Sequence, residues 1–494
     1  MEGVEESQCA RGGGVRFRAA LTAETAVFGG LALAAGLALR IWMLHWVFEV
    51  NGDSLIYGGI AKNLLLHGRY ALAGPHGALH STLIRLPGYP LFLAACFRLF
   101  GMENYWAAAC VEVALELAGC LLLADFAGMA ACGVRGADAA FARRAALATL
   151  WLAALCPFTA AYAAEPLAEA PTLFALALAM NSMARFCRRP RWRSALAFTF
   201  AVTWATLLRP DGALAAVAFA PAMLMALRHG PRRAAVTKAA VCVALALAPF
   251  AAWTWRNWRV FHVFEPLAPR LATDPGEDTY PGWERWVKTW CLDFISTYEI
   301  YWPVPDGELD VSRLPSRAFD SPAQRAATAA LAQDYNTHGE NLTPQIDAAF
   351  GRLAAERVAA HPWRYYLWLP LGRLADMWLR PRVENLPIDL DWWVYSHHNA
   401  ETRFSWFYAG LNAFYLLLGA AGLWLCPRYS KALLAYMLLR SALLLTVEAP
   451  EARYTLECFP MIFALGGVAA AAAMSKAVAA GRRTAAADPG VAAG

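Results

Sequence analysis

The sequence predicts an all-α polytopic membrane protein: a bundle of about ten transmembrane helices with two external loops, the second large and partly helical. Three observations predict it. The 494 residues are 59% hydrophobic and only 16% charged, against about 25% charged for an ordinary soluble domain. Several apolar runs approach the ~20 residues needed to span a bilayer. The 20 Trp and 17 Tyr suit the belts that aromatic side chains form at a membrane–water interface.

The spans follow from the apolar runs: 22–47, 105–130, 145–164, 170–186, 194–208, 212–228, 239–255, 405–425, 432–448 and 456–474. The first is long and has no small-residue cleavage site, so it reads as an uncleaved anchor. Loops rich in Arg and Lys mark the cytoplasmic side. These are Arg11/Arg16/Arg18, Arg135/Arg143/Arg144, Arg185–Arg193, Arg228/Arg232/Arg233/Lys238, Arg428/Lys431 and Lys476/Arg482/Arg483. Parity closes only if Leu86–Phe100, about fifteen residues with Arg98 inside, is a juxtamembrane or re-entrant helix rather than a span.

The resulting organisation has five parts. A tail at 1–21 precedes a seven-span core at 22–255, which contains the first external loop, 48–104. A large external loop fills 256–404, three C-terminal spans fill 405–474, and a cytoplasmic tail closes the chain at 475–494. Within the large loop, Thr343–Arg380 reads as a helix whose Trp, Tyr and Arg residues suit the membrane surface. The cysteines fall mostly in apolar runs without CxxC spacing and read as packing residues. Cys291 alone stands in a polar loop.

Ionisable groups at membrane level are costly and point to function. Asp53 follows the first span at once, where a carboxylate can meet a substrate half in lipid and half in water. It is a candidate general base; the alternative is a helix cap, with Asn51, for Ser54–Leu66. Tyr57 and Arg85 share its loop. Glu165 and Glu169 lie four apart across Pro166, spaced for one face of a helical turn. Arg209-Pro210-Asp211-Gly212 breaks an apolar run, either as a hairpin capped by its own Arg–Asp pair or as a contact to a substrate phosphate. Arg453-Tyr454 opens the last span, as an anion ligand or as a residue snorkelling at a helix end. No metal site is read: His397 and His398 are adjacent, and neighbouring side chains rarely converge on one ion. There is no P-loop and no GxGxxG, so a transferase here needs a membrane-borne activated donor. The basic residues sit in inter-helix loops, so the net charge of +5 gives no sign of nucleic acid.

These residues resemble a family. The series Gly52-Asp53-x-x-x-Tyr57-x-x-x-Ala61-x-Asn63-Leu64-Leu65, then Pro87-Gly88-Tyr89-Pro90-Leu91 and Leu99-Phe100-Gly101, is similar to the first external loop of GT-C superfamily membrane glycosyltransferases. The nearest branch is glycosyltransferase family 39 and its bacterial relatives, the protein O-mannosyltransferase and aminoarabinose-transferase type. The Glu169 turn, Leu208-Arg209-Pro210, His361-Pro362 and Glu451-Ala-Arg453-Tyr454 continue the likeness in the same order. The resemblance implies a GT-C-like bundle and inverting transfer from a polyprenyl-phosphate sugar, with Asp53 as base and Glu169 as the second acidic residue. Tyr57, Arg85, Glu165, Arg209, Arg453 and Tyr454 then serve as substrate-binding residues. The implied partners are the lipid-linked sugar, membrane lipid and an acceptor lipid, glycan or protein, without nucleic acid. No cofactor is required, and a divalent metal is left open. Many members carry Asp-Glu where this chain has Asp53-Ser54, which weakens assignment to the protein mannosyltransferases themselves.

The implied location is the inner (plasma) membrane, multi-pass, with the site on the external, periplasmic face. The competing class is a transporter or lipid flippase, for which Glu24, Glu112, Glu116 and Asp125, in or near spans, would supply the deep polar groups. No internal repeat of the transporter kind is present.

Overall fold

The computed structural model describes residues 23–50, 52–74, 77–228, 231–391 and 398–487. The expectations for Asn51, for His397 and for both terminal tails apart from 475–487 lie outside these residues. The chain forms two compact units. Unit 1 comprises the residues up to 268, 414–437 and those from 457 on; unit 2 comprises 269–413 and 438–456.

In unit 1 the first apolar run is helix α1 (Ala23–Trp46), followed by α2 (Gly52–His67). A two-stranded antiparallel hairpin, β1 (Ala71–Ala73) and β2 (Leu79–Ser81), pairs Leu72 with His80. Next come α3 (Gly88–Phe100), α4 (Tyr105–Ala131), α5 (Ala139–Ala154), α6 (Pro157–Tyr162), α7 (Glu169–Arg188), α8 (Trp192–Leu208), α9 (Ala213–Leu227) and α10 (Arg232–Phe261). After unit 2 begins, α11 (Pro281–Lys288), α12 (Pro322–Thr337), α13 (Pro344–Ala360) and α14 (Leu369–Leu379) follow. The last three helices are α15 (Asn399–Trp424), α16 (Ser430–Leu444) and α17 (Phe459–Ala487).

Among the described residues six helical stretches are long and apolar enough to cross a membrane: Glu24–Trp46, Tyr105–Ala131, Pro210–Leu227, Arg232–Phe261, Asn399–Trp424 and Ala452–Ala480. The protein is a multi-pass, mostly helical membrane protein, and the ten expected spans overlap helices. Helix α3, thirteen residues, is about 20 Å long, short of a ~30 Å hydrocarbon core. The span expected at 145–164 is divided: α5 stops at Ala154 and Pro157 starts α6 afresh, because proline supplies no N–H to the preceding turn.

In the bundle of unit 1, α5, α7 and α17 all pack on α4. Asn104 caps α4 by accepting from Ala107 N at 3.0 Å, and Asp138 caps α5 through Phe141 N at 2.6 Å, each worth about 1 kcal/mol. Inside the bundle Arg40 is fully buried. Its Nε donates to Glu116 Oε2 at 2.8 Å, and its Nη1 donates to the carbonyls of Gly36 (2.9 Å) and Ala154 (2.6 Å). That network ties α1, α4 and α5 together. Near the other end of α4, Asp125 accepts from Asn181 and Arg185, both at 2.7 Å.

Unit 2 is built on a tryptophan core. Trp283, Trp286, Trp290 and Phe350 are buried, with ring centroids 5.0–5.3 Å apart. The Asp347 carboxylate of α13 accepts from the backbone N–H groups of Gly282 (3.1 Å) and Trp283 (2.8 Å), so α13 caps α11 from outside. Cys291 lies inside this core, fully buried, not in a solvated loop as its polar neighbours suggested. The helix expected over Thr343–Arg380 is broken: α13 ends at Ala360, His361-Pro362 turns the chain, and a π-helical turn at Arg364–Trp368 leads into α14. Trp363, Tyr366 and Trp368 are exposed there.

Candidate active site

The first cluster grows from the start of α2. Gly52 takes a positive φ of 44°, open to glycine at little cost, and this lets the chain leave α1 and start α2 at once. Asp53 falls in the first turn of α2, where a helix favours a carboxylate. The hairpin then returns the chain. Arg256 of α10 donates to Thr82 O at 2.7 Å and Tyr70 O at 2.8 Å, clamping the strand ends. The Tyr70 hydroxyl donates to Arg85 O at 2.9 Å. Arg85, so held, donates from Nη2 to Asp53 Oδ1 at 2.5 Å. The pair is 20% and 28% exposed, so its charge-assisted bond is stronger than that of a surface pair.

Tyr57, one turn beyond Asp53, takes the Arg85 guanidinium over its ring at 5.8 Å and packs edge-on against Tyr89 at 4.9 Å. Burial pushes its phenol up to about 12, against the opposing pull of Arg85. Glu169 and Arg209 lie close enough to bear on the same phenol, so Asp53, Tyr57, Arg85, Glu169 and Arg209 share one neighbourhood.

The second cluster centres on Arg209. It sits past the end of α8 with φ −147°, ψ 131°, ahead of a 3-10 turn at Pro210–Gly212. Two glycines make this turn possible. A Cβ on Gly212 would stand 2.4 Å from Ala205 O, and one on Gly88 would stand 2.5 Å from Leu207 O. Arg209 meets three carboxylates: Glu169 Oε1 at 2.9 Å, Glu457 Oε1 at 3.0 Å and Asp211 Oδ1 at 3.6 Å. The Arg–Asp pairing expected from the turn is therefore the longest of the three. Glu169 is nearly buried at the first position of α7. Glu165 precedes that helix in a turn, its carbonyl accepting from Leu167 N at 2.7 Å, so the two acids do not share a helical face. Pro166 is the middle residue of that turn, which closes before α7 begins at Glu169.

Arg453 and Tyr454 belong to unit 2, where both turn onto Glu451. Arg453 Nε donates to Glu451 Oε2 at 2.5 Å, and the Tyr454 hydroxyl donates to Oε1. Two buried arginines hold this segment: Arg382 donates to Ala452 O at 2.8 Å, and Arg440 to Tyr454 O at 3.0 Å.

Glu457 and Arg256 are the residues that sequence reasoning did not single out as site candidates. Glu457 reads as one acid at the mouth of an apolar run. Its signal was its depth, for it is buried and its Oε2 accepts from Tyr436 OH at 3.2 Å. Three of the four acids that a transport path would use are engaged elsewhere: Glu116 on Arg40, Asp125 on Arg185, and Glu112 on Tyr89 OH at 2.5 Å.

Residues 85–255 match the family model for dolichyl-phosphate-mannose-protein mannosyltransferase. That stretch carries Arg85, Glu165, Glu169 and Arg209, and over it the resemblance read from the motifs is borne out. No curated protein matches the chain by sequence. Among solved structures it is similar to the oligosaccharyltransferase AglB from Archaeoglobus fulgidus in complex with an inhibitory peptide and a dolichol-phosphate. The identity is 13% and the TM-score 0.48, covering 96% of this chain and 52% of that one. It is also similar to ArnT from Cupriavidus metallidurans bound to undecaprenyl phosphate, at 15% identity and TM-score 0.36, covering 89% and 77%. The chain spans about half the length of the oligosaccharyltransferase chains it matches.

Proposed function

We propose that this chain is a membrane glycosyltransferase that moves a sugar from a polyprenyl-phosphate donor to a hydroxyl acceptor. Transfer takes place at the external face of the inner membrane and inverts the anomeric centre. The observation that carries the reading is the Asp53–Arg85 pair, set at the start of α2 directly after an apolar helix. Tyr57 lies under the Arg85 guanidinium, and the charges of Glu169 and Arg209 act on the same phenol. The family-model match over residues 85–255 supports the same class.

The chemistry follows from these groups. Asp53 takes the proton of the acceptor hydroxyl as its oxygen bonds to the anomeric carbon. The bond from that carbon to the phosphate oxygen breaks on the opposite face, and polyprenyl phosphate leaves with the electron pair. Arg209 and Arg85 offer guanidinium charge to the leaving phosphate. Glu169 is the second acid, aligned by its 2.9 Å contact with Arg209. Partial burial, from 28% exposed at Asp53 to 4% at Glu169, raises the worth of each of these charges above its value in open water.

The test is sugar transfer from defined polyprenyl-phosphate sugars by purified protein in liposomes. Asp53→Asn keeps the shape and removes the base, so turnover should fall about 10²–10⁴-fold with unchanged folding. Equal transfer by wild type and mutant would keep the class and remove Asp53 from the role. Absence of transfer with every donor, alongside measurable solute or lipid flux, would replace the reading with transport.

A further inference from the structure

The sequence singles out Thr343–Arg380 for its aromatic and basic side chains, and the break at His361-Pro362 divides that stretch into two helices with different outer faces. Helix α13 exposes Gln345, Arg352 and Glu356, as a helix in water does. From Tyr366 to Leu379 the exposed residues are Tyr366, Leu367, Trp368, Leu371, Ala375 and Leu379, none of them charged. Trp368 and Leu379 are each 64% exposed. Positions 368, 371, 375 and 379 recur at three- and four-residue steps, so they form one stripe along α14. The inner face is fastened to the tryptophan core. Leu369 and Met377 are buried there, and the fully buried Arg373 donates to the carbonyls of Lys288 at 3.2 Å and Cys291 at 3.0 Å. So held, α14 cannot turn its apolar stripe inward.

The contacts at the end of α14 identify the medium that meets the stripe. Asn412 of α15 donates from Nδ2 to Trp378 O at 2.7 Å and to Arg380 O at 3.4 Å, and Trp378 Nε1 donates to Ser441 Oγ of α16 at 3.3 Å. Helix α15 is long and apolar enough to cross a membrane, and its Trp406 and Phe407 are exposed. Asn412 lies seven residues into the span read at 405–425, about 10 Å below its first residue. A surface-lying amphipathic helix buries its apolar face to the same depth, about 5–10 Å. We infer that α14 and the π-helical turn before it lie in the headgroup–acyl boundary of the leaflet that α15 enters at its first turn, with the Trp368, Leu371 and Leu379 face in lipid. The tryptophan core of unit 2 is then held at the bilayer surface by a helix that lies on the membrane, besides those that cross it. Tyr366 and Trp368 suit that boundary because each joins an apolar ring to a polar tip. The inference is independent of the reaction the chain performs.

The experiment reads which medium surrounds the stripe. Full-length protein carries a single coumarin amino acid in place of Trp368, Leu371, Glu356 or Leu417, and is placed in nanodiscs of phosphatidylethanolamine and phosphatidylglycerol. Each variant is titrated with a phospholipid that carries a nitroxide high on its acyl chain, and separately with aqueous iodide. Leu417, 71% exposed on α15, is the lipid-facing standard, and Glu356 is the water-facing one. The nitroxide lipid should lower emission from positions 368 and 371 about twofold, as at 417, with iodide leaving them nearly unchanged. Position 356 should show the reverse. Lipid quenching at either stripe position supports the inference, and Leu371 carries the test if the Trp368 variant does not fold. Quenching of both by iodide alone overturns it and leaves an apolar face open to water and to a soluble partner. Quenching of both by neither agent also overturns it, because protein, such as a second copy of this chain, then covers the stripe.

Discussion

Asp53 and Tyr57 lie one helical turn apart, and the structure separates their chemistry. Asp53 is a carboxylate engaged by Arg85; Tyr57 is a phenol whose burial pushes it up to about 12. Tyr57 therefore keeps its proton across the physiological range and can donate a hydrogen bond but not accept a proton. Tyr57→Phe should lower transfer less than tenfold and leave the pH–rate profile between about pH 6 and 9 unmoved. A shifted alkaline limb in that variant would make the phenol the titrating group. Asp53, Glu169 and Arg209 were legible in the sequence because each is a charge at the end of an apolar run, where desolvation makes charge expensive. Glu457 and Arg256 were not, because their partners are 248 and 186 residues distant, and nothing local in the chain announces them. Arg453 and Tyr454 were legible as a motif together with Glu451, and the contacts add that both side chains turn onto that carboxylate.

At the scale of elements, the Arg209 turn depends on how closely α3 approaches the end of α8. Gly88 meets the Leu207 backbone, which cannot move aside as a flexible side chain would. Gly88→Ala should cost about 1–3 kcal/mol and reduce transfer by displacing Arg209. Gly30→Ala in α1, where a Cβ meets nothing within 4 Å, should be neutral or stabilising by up to about 1 kcal/mol. Thermal unfolding in detergent separates the two; equal effects would deny the close packing its role. The Arg40–Glu116 pair makes a second element-scale prediction. Glu116→Ala leaves a buried guanidinium without its counter-ion and should cost about 3–5 kcal/mol, whereas Arg40→Met/Glu116→Leu should cost much less. Melting temperatures of the single and double variants measure the difference, and a double variant as unstable as the single would contradict it. Element ends were less legible than element existence. The sequence reading ran through Pro157 and through His361-Pro362, although both prolines signalled a break, because hydrophobicity summed over a window outweighed the local punctuation.

For the whole molecule, apolar content fixed the class, since only lipid can solvate so many exposed Leu, Val, Phe and Trp side chains. Unit 2 was the unreadable part. Its tryptophan core resembles interfacial aromatics in composition, and only packing tells a buried Trp286 from an exposed Trp363. The stability of this unit should depend on pH through Glu284, on α11. Burial first, then the neighbouring Glu448 carboxylate, pushes the Glu284 carboxyl up to about 7, with Arg270 and Lys288 opposing. An unfolded glutamic acid titrates near 4.5. Between these values the folded unit holds a proton that the unfolded chain has released, so stability falls as pH rises from about 4.5 to 7 and is flat above. The group is partly exposed, and screening reduces the effect to about 1–2 kcal/mol. Asp376, pushed up to about 6 by burial, adds a smaller slope of the same sign. The buried Trp283, Trp286 and Trp290 report unfolding of this unit through their fluorescence. Urea titrations of the full chain at pH 5, 6, 7 and 8 should show the midpoint falling to pH 7, and Glu284→Gln should remove most of that fall. A Gln variant with the wild-type slope would assign the pH dependence to other groups and remove Glu284 from the account.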